Sequence, residues 1–225
     1  MSTHHILPIR DSDIPALTTI LARSFHPTNP YIKATLPDTP AVREWWREIF
    51  QNCLADTRWH VLVASPAATP SGSTDEEAIG VLILRLMQPH ELGSGLWTAF
   101  PRTREHDAEK YDSMVGAMSK HREAIMRVGD EVGARVHYLV ELLGVDHSWK
   151  GKGIGAALLR RACEVADAEG LEVFVQANGS ARAFYEKVGG FGVVAREVMP
   201  GGNGYEEFML VRPAMRSSEG EETGS

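Results

Sequence analysis

Lys150-Gly151-Lys152-Gly153-Ile154-Gly155-Ala156 is the stretch that decides how this chain folds. An apolar run, 138–145, precedes it, and an amphipathic segment, 157–168, follows. Strand, glycine turn and helix in that order suit the holding of phosphate. Glycine lacks a Cβ, so the backbone can take positive φ and approach a ligand closely. The N–H groups left free at a helix start face an anion, and the helix dipole adds to the attraction. Gly151, Gly153 and Gly155 at alternate positions predict a concavity of amides, and Lys150 and Lys152 add charge. The expected ligand carries pyrophosphate.

Three kinds of glycine loop compete for that description. A P-loop needs Ser or Thr after its lysine to hold magnesium, and here Gly153 follows Lys152. A dinucleotide fingerprint can be laid on Gly151, Gly153 and Ala156, but it wants an acidic residue about 20 positions on. The next strand instead ends in Gln176-Ala177-Asn178, and the approach from Val145 to Gly151 is long for that tight turn.

The third reading fits better. The run from Lys150 to Gly155 resembles the R/Q-x-x-G-x-G/A loop of the GCN5-related N-acetyltransferase (GNAT) family. Asn178-Gly179-Ser180-Ala181-Arg182-Ala183-Phe184-Tyr185-Glu186-Lys187-Val188-Gly189-Gly190-Phe191 is similar to that family's N-x-x-A-x-x-F-Y-x-x-x-G-F segment. The two elements stand in the family's order, joined by one helix and one strand. The resemblance covers about 136–191. His147 stands where the family often has Pro, and Lys150 where it has Arg or Gln, which keeps the charge. Gly189-Gly190-Phe191 carries one Gly more than usual, which predicts a bulge or looser turn before the next strand. The C-terminal pattern and the enlarged middle also resemble antibiotic acetyltransferases of the puromycin type.

Composition bounds the rest. A chain of 225 residues with 43% hydrophobic content fits one domain, or one with an insertion. A net charge of −7 argues against nonspecific nucleic-acid binding. Cys53 and Cys163 form neither a disulfide framework nor a zinc spacing, and no metal is expected. The N-terminus lacks a signal pattern, and no apolar run approaches the ~20 residues of a membrane span. The expectation is a cytoplasmic protein, with no membrane or nucleic-acid partner.

Periodicity predicts an α/β fold. Strands are expected at 4–10, 59–64, 79–86, 136–145, 172–176, 191–199 and 205–211. Helices are expected after a cap at Asp11 or Ser12, over 40–54, 105–128, 153–168 and 180–188, with a proline loop at 26–31. Residues 65–77 read as a flexible hairpin tip, 88–130 as a helical insertion shaping an acceptor pocket, and 1–215 as a single domain. Residues 216–225 read as a disordered tail. The methionines of 105–128 read more as core than as a ligand face.

The resemblance implies a mixed sheet of six to seven strands whose fourth and fifth strands splay to admit pantetheine. Acetyl-CoA is then the implied cofactor. Leu143, Gly144 and Val145 would pair with its arm, and Lys150, Gly151, Lys152, Gly153, Ile154, Gly155 and Ala156 would hold its pyrophosphate. Asn178 would bond the pantetheine arm, or else cap the helix from Gly179. Tyr185 occupies the place where many members keep a tyrosine near the sulfur, to return a proton to the thiolate; the alternative is a packed tyrosine.

Glu141 is the candidate general base. Alternation predicts Leu139, Glu141 and Leu143 on one face, and a carboxylate inside an apolar strand is costly without a purpose. Desolvation would raise its pKa toward a useful range. A nearby Arg or exposure at the splay would be the structural alternative. His137 is a second candidate, and His90, His106 and His121 lie in or near the insertion. His26, Tyr31, Trp45, Trp97 and Tyr111 fall in segments that line the acceptor side in related proteins, with Tyr31 and Trp97 the substrate-binding candidates and Trp45 and Trp46 core. The resulting expectation is direct acetyl transfer to a small primary amine. A protein or peptide acceptor and a non-catalytic acyl-CoA-binding module are the alternatives.

Overall fold

Side-chain alternation sorts this chain onto the two faces of one sheet. The computed structural model describes residues 4–67, 77–89, 91, 93, 96–127 and 134–215. In chain order the elements are β1 (His4–Pro8), α1 (Ile14–Leu17), α2 (Ile20–Phe25), α3 (Pro30–Thr35), α4 (Pro40–Ala55), β2 (Trp59–Pro66), β3 (Gly80–Met87), α5 (Leu96–Ala99), α6 (Ala108–Met126), β4 (His137–Val145), α7 (Ile154–Ala168), β5 (Val173–Asn178), α8 (Gly179–Phe184), β6 (Gly192–Val198) and β7 (Glu206–Arg212). The seven strands form one sheet in the order β1-β2-β3-β4-β5-β7-β6. Only β4 and β5 run parallel, joined through α7. Tyr138, Val140, Val173 and Val175 face α7 and pack on Leu158 and Leu159. Leu139, Phe174 and Met209 face the other way, toward the aromatic side of α4 and toward α5 and α6. The most hydrophobic part of the sheet is thus covered on both faces.

β4 and β5 pair only at Tyr138↔Val173, Leu139↔Phe174 and Val140↔Val175. Beyond Val140 each strand keeps its other neighbour, β3 or β7, and the two part. The cause lies one residue on. Leu142 stands opposite Ile83 and Val140 opposite Leu84, so Glu141 is the extra residue of a β-bulge. A bulge bends its strand and adds twist, which opens the splay. It also breaks the alternation expected of Leu139, Glu141 and Leu143. Leu142 packs with Leu139's side, and Leu143 packs on the α7 side.

Several local expectations need correction. The proline loop at 26–31 ends in a helix: Pro30 opens α3, and Asn29 caps it by accepting from Ile32 N at 3.0 Å. Neither Asp11 nor Ser12 starts the first helix. A tight turn, Asp11–Asp13, intervenes, locked by Arg10 N donating to Asp13 Oδ2 at 2.7 Å. The 88–104 stretch contains the short helix α5. The extra glycine before Phe191 is absorbed by a π-helical turn, Tyr185–Gly189, closed by Gly190 at φ +70°. A Cβ on Gly189 would lie 2.6 Å from the Phe191 ring, so that position requires glycine. Most of the 65–77 tip, His90 and the 216–225 tail lie outside the described residues. Among the described residues no helix is long and apolar enough to cross a membrane.

Candidate active site

The glycine turn has the conformation its sequence demanded. Gly151 and Gly153 sit at φ +78° and +80°, a region closed to most side chains. Gly153 is the N-cap of α7. The N–H groups of Ile154, Gly155 and Ala156 have no carbonyl one turn back to bond. Gly155 is different: its φ is ordinary, and a Cβ there would meet Phe184 and Val145 at a normal 3.6 Å. The turn is braced from below. Arg23 on α2 pairs with Asp146, and its Nη2 donates to Ala16 O at 3.0 Å and Ala78 O at 2.9 Å. Asp146 Oδ1 in turn accepts from Ser148 N at 2.9 Å.

An open cleft of about 780 Å³ runs from this turn to the splay. Leu143, Gly144, Val145, Lys150, Gly151, Gly153, Ile154, Gly155, Ala156 and Asn178 all line it. Lys150 Nζ lies 3.5 Å from Thr28 Oγ1 at its rim. Lys152 is not part of the lining; its ammonium sits 4.1 Å from the centroid of the Trp149 ring. Gly144 lets α2 come close, since a Cβ there would stand 2.9 Å from Ser24 Oγ. Asn178 caps α8, its Oδ1 accepting from Ala181 N at 3.0 Å and from Ser180 Oγ at 2.6 Å. The cap uses only the oxygen, so Nδ2 remains for a ligand.

Behind the splay lies a second, smaller cavity of about 110 Å³. Leu143, Asn178, Ala181, Phe25 and Tyr205 border both spaces. Glu141, Tyr185, Trp97, Met114 and Met118 line the inner one. Helices α5 and α6 therefore contribute to this cavity, and two methionines of α6 face it as well as the core. Three buried polar atoms on the wall have no protein partner among the described residues: Glu141 Oε2, Trp97 Nε1 and Gln176 Oε1. Such atoms are costly unless a polar guest satisfies them.

Glu141 is 5% exposed, and its Oε1 accepts from Leu96 N at 2.8 Å. Burial pushes its pKa up to about 8, against that backbone bond and the pull of Arg85 and Arg122. Neither arginine forms an ion pair with it. Arg85 Nη2 donates to Glu91 Oε1 at 2.8 Å, and Arg122 Nε and Nη2 donate to the Gly93 and Glu91 carbonyls at 2.7 Å. Burial pushes the Tyr185 hydroxyl far up, so it stays protonated. His137 lies outside both cavities, with Nδ1 on Arg135 O at 2.6 Å and its pKa pressed down to about 4 by burial.

His106 receives Thr103 N at Nδ1, and His121 pairs with Glu197; neither borders a cavity. Tyr31 also lines neither space: it stacks on Tyr205, and its hydroxyl donates to Lys110 O at 3.3 Å. Trp45 is core, donating Nε1 to Pro101 O at 3.0 Å. Sequence reasoning missed Glu207 and Tyr205, which border the inner cavity. The only signal available was a pair of glutamates, Glu206-Glu207, opening an otherwise apolar strand.

Comparison with known proteins agrees with this geometry. The fold matches a mosquito arylalkylamine N-acetyltransferase like 5b with a TM-score of 0.63 at 16% identity, covering 94% of this chain and 100% of that one. It matches Arabidopsis thaliana NAA60, solved in complex with acetyl-CoA, at TM-score 0.57 and 16% identity, covering 94% and 98%. It also matches the ribosomal-protein-S18-alanine N-acetyltransferase of Escherichia coli at TM-score 0.53 and 14% identity, covering 99% of both chains. No curated protein matches the chain in sequence. The model of the acetyltransferase (GNAT) family matches residues 39–191, a span holding the glycine turn, the splay and the Asn178–Tyr185 segment. This chain belongs to the GNAT acetyltransferase family, whose acyl donor is acetyl-CoA.

Proposed function

We propose that this protein transfers acetyl from acetyl-CoA to a small primary amine held in the inner cavity. The observation that carries the choice of acceptor is the small size of that cavity, about 110 Å³. Tyr31 of α3 stacks flat on Tyr205 of the β6–β7 turn, and its hydroxyl reaches the backbone of α6. Tyr205, so held, lines the space together with Ile32, Leu36, Met114 and Met118, which leaves room for a compact amine.

The donor supplies a thioester, an acyl group activated toward nitrogen. The chain's residues do the rest. The free amides of Ile154, Gly155 and Ala156, with Lys150 beside them, hold the pyrophosphate. The edge of β4 from Glu141 to Val145, unpaired by β5, offers backbone groups to the pantetheine arm, and Asn178 Nδ2 adds a donor. Glu141, in its ionised form, takes a proton from the attacking nitrogen, and Tyr185 returns one to the departing thiolate. Both cysteines are buried away from the two cavities, and burial pushes the Cys53 thiol up to about 12, so transfer is direct.

Titrating the protein calorimetrically with acetyl-CoA, then following thiol release with small primary amines and with peptides bearing free N-termini, tests this. Saturable binding with turnover on small amines alone is expected. Turnover on peptides alone would transfer the reading to a peptide acceptor. Binding without any turnover would leave an acyl-CoA-binding module.

A further inference from the structure

Glu207 has no part in the scheme above, yet it faces the same cavity. It is 5% exposed and borders the inner space together with Glu141 and Tyr185. Among the described residues no Lys, Arg or His forms an ion pair with it. Its polar neighbour is the neutral Tyr205 hydroxyl, which favours the charged form. A buried carboxylate with one neutral partner is a costly arrangement, and a cationic guest would offset that cost.

A chain of bonds fixes how Tyr205 is oriented. Asn29 caps α3, so its Oδ1 must face Ile32 N, 3.0 Å away. That leaves Asn29 Nδ2, a donor only, aimed at the Tyr205 oxygen at 3.2 Å. With its oxygen accepting from Asn29, Tyr205 has its own proton free for Glu207. The helix cap thereby turns the Tyr205 proton toward Glu207, whose carboxylate borders the cavity.

We propose that Glu207 is a second catalytic carboxylate, which receives the acceptor's ammonium group and takes its first proton, with Tyr205 and Asn29 as positioning residues. This rests on the amine-acetyltransferase reading. The nitrogen sheds two protons in the reaction. The first passes from ammonium to the Glu207 carboxylate and gives the neutral amine. The amine lone pair then forms the C–N bond as the C–S bond breaks, and the second proton goes to Glu141. The thiolate takes the Tyr185 proton, and Glu141 restores it. Glu207 releases its proton to water, the one net proton of the reaction.

The groups around Glu207 are compatible with this role. Tyr205, Tyr185 and Tyr31 all stay protonated at neutral pH. Across β6, Glu197 is engaged with His121 and Lys120 of α6. Burial lifts Glu207 to about 7, where a carboxylate exchanges protons readily.

The test uses the full chain saturated with coenzyme A, with n-butylamine as the binding probe, followed by turnover on the best amine of the panel. E207Q is expected to weaken n-butylamine binding at least ~10-fold, keep coenzyme A binding, and remove one of two acid-side ionisations from the pH profile of kcat/KM. Y205F is expected to move the remaining Glu207 ionisation upward by about one pH unit. If E207Q does not fold, the Y205F shift decides alone. Unchanged amine binding and an unchanged pH profile in these variants would overturn the role of Glu207 and leave the acetyltransferase reading standing. Failure of the wild-type protein to bind coenzyme A would defeat that reading first, and the role of Glu207 with it.

Discussion

The Tyr31 and Tyr205 rings lie parallel, centroids 4.4 Å apart at 11°, although 174 positions apart in sequence they belong to a helix and to a strand turn. This contact joins α3 to the β6–β7 turn and steadies Tyr205, which lines the inner cavity. Tyr31→Ala is expected to cost about 3 kcal/mol in urea unfolding, from lost burial and stacking. It should also admit larger amines, read as a falling ratio of kcat/KM for small over bulky acceptors. Tyr31→Phe, which loses only the bond to Lys110 O, should cost about 1 kcal/mol and leave selectivity alone.

Glu141 should make the protein less stable as pH rises. Its carboxyl sits near 8 in the fold and near the ordinary 4.5 when unfolded, so the folded state binds more protons between those values. Stability that is complete below about 4.5 is then lost progressively up to about 8. Glu141→Gln removes this dependence. Its urea midpoint should fall less than the wild-type midpoint between pH 5 and pH 8, and its kcat should drop by ~10²–10³ as a base is lost. Equal pH slopes in the two proteins would count against a buried neutral carboxyl.

Gly153 at φ +80° and Gly155 at ordinary φ separate conformation from contact. Gly153→Ala should cost about 1 kcal/mol and weaken acetyl-CoA binding at least ~10-fold, because the cap that orients the free amides is strained. Gly155→Ala should fold normally. A calorimetric comparison of the two variants checks the order.

Arg23 and Asp146 tie that turn to α2. Arg23→Ala removes the pair and two carbonyl contacts, at about 1–3 kcal/mol. The acetyl-CoA dissociation constant should rise several-fold, while KM for the amine changes little, since Arg23 borders neither cavity.

Tyr185→Phe should lower kcat by ~10–100-fold with acetyl-CoA affinity kept, because the hydroxyl serves the leaving group rather than the bound donor. An unchanged kcat would make Tyr185 a packing residue only.

The sequence by itself determined what depends on neighbouring residues. The glycine turn and the free amides opening α7 are local, so 150–156 was legible at once, while Asn178 was legible as a cap or a ligand donor without a choice between them. Length and hydrophobic period placed every strand to within a few residues. Tertiary structure alone decided what depends on partners far apart in the chain. The bulge that turns Glu141 and opens the splay exists only against β3, because a bulge is a mismatch between two strands. The lining of the inner cavity needs α3, α6 and the β6–β7 turn together. Glu207 received no reading from the sequence, because its burial follows from the packing of β7 between β5 and β6, and burial is a property of the whole fold and not of the strand that carries the residue.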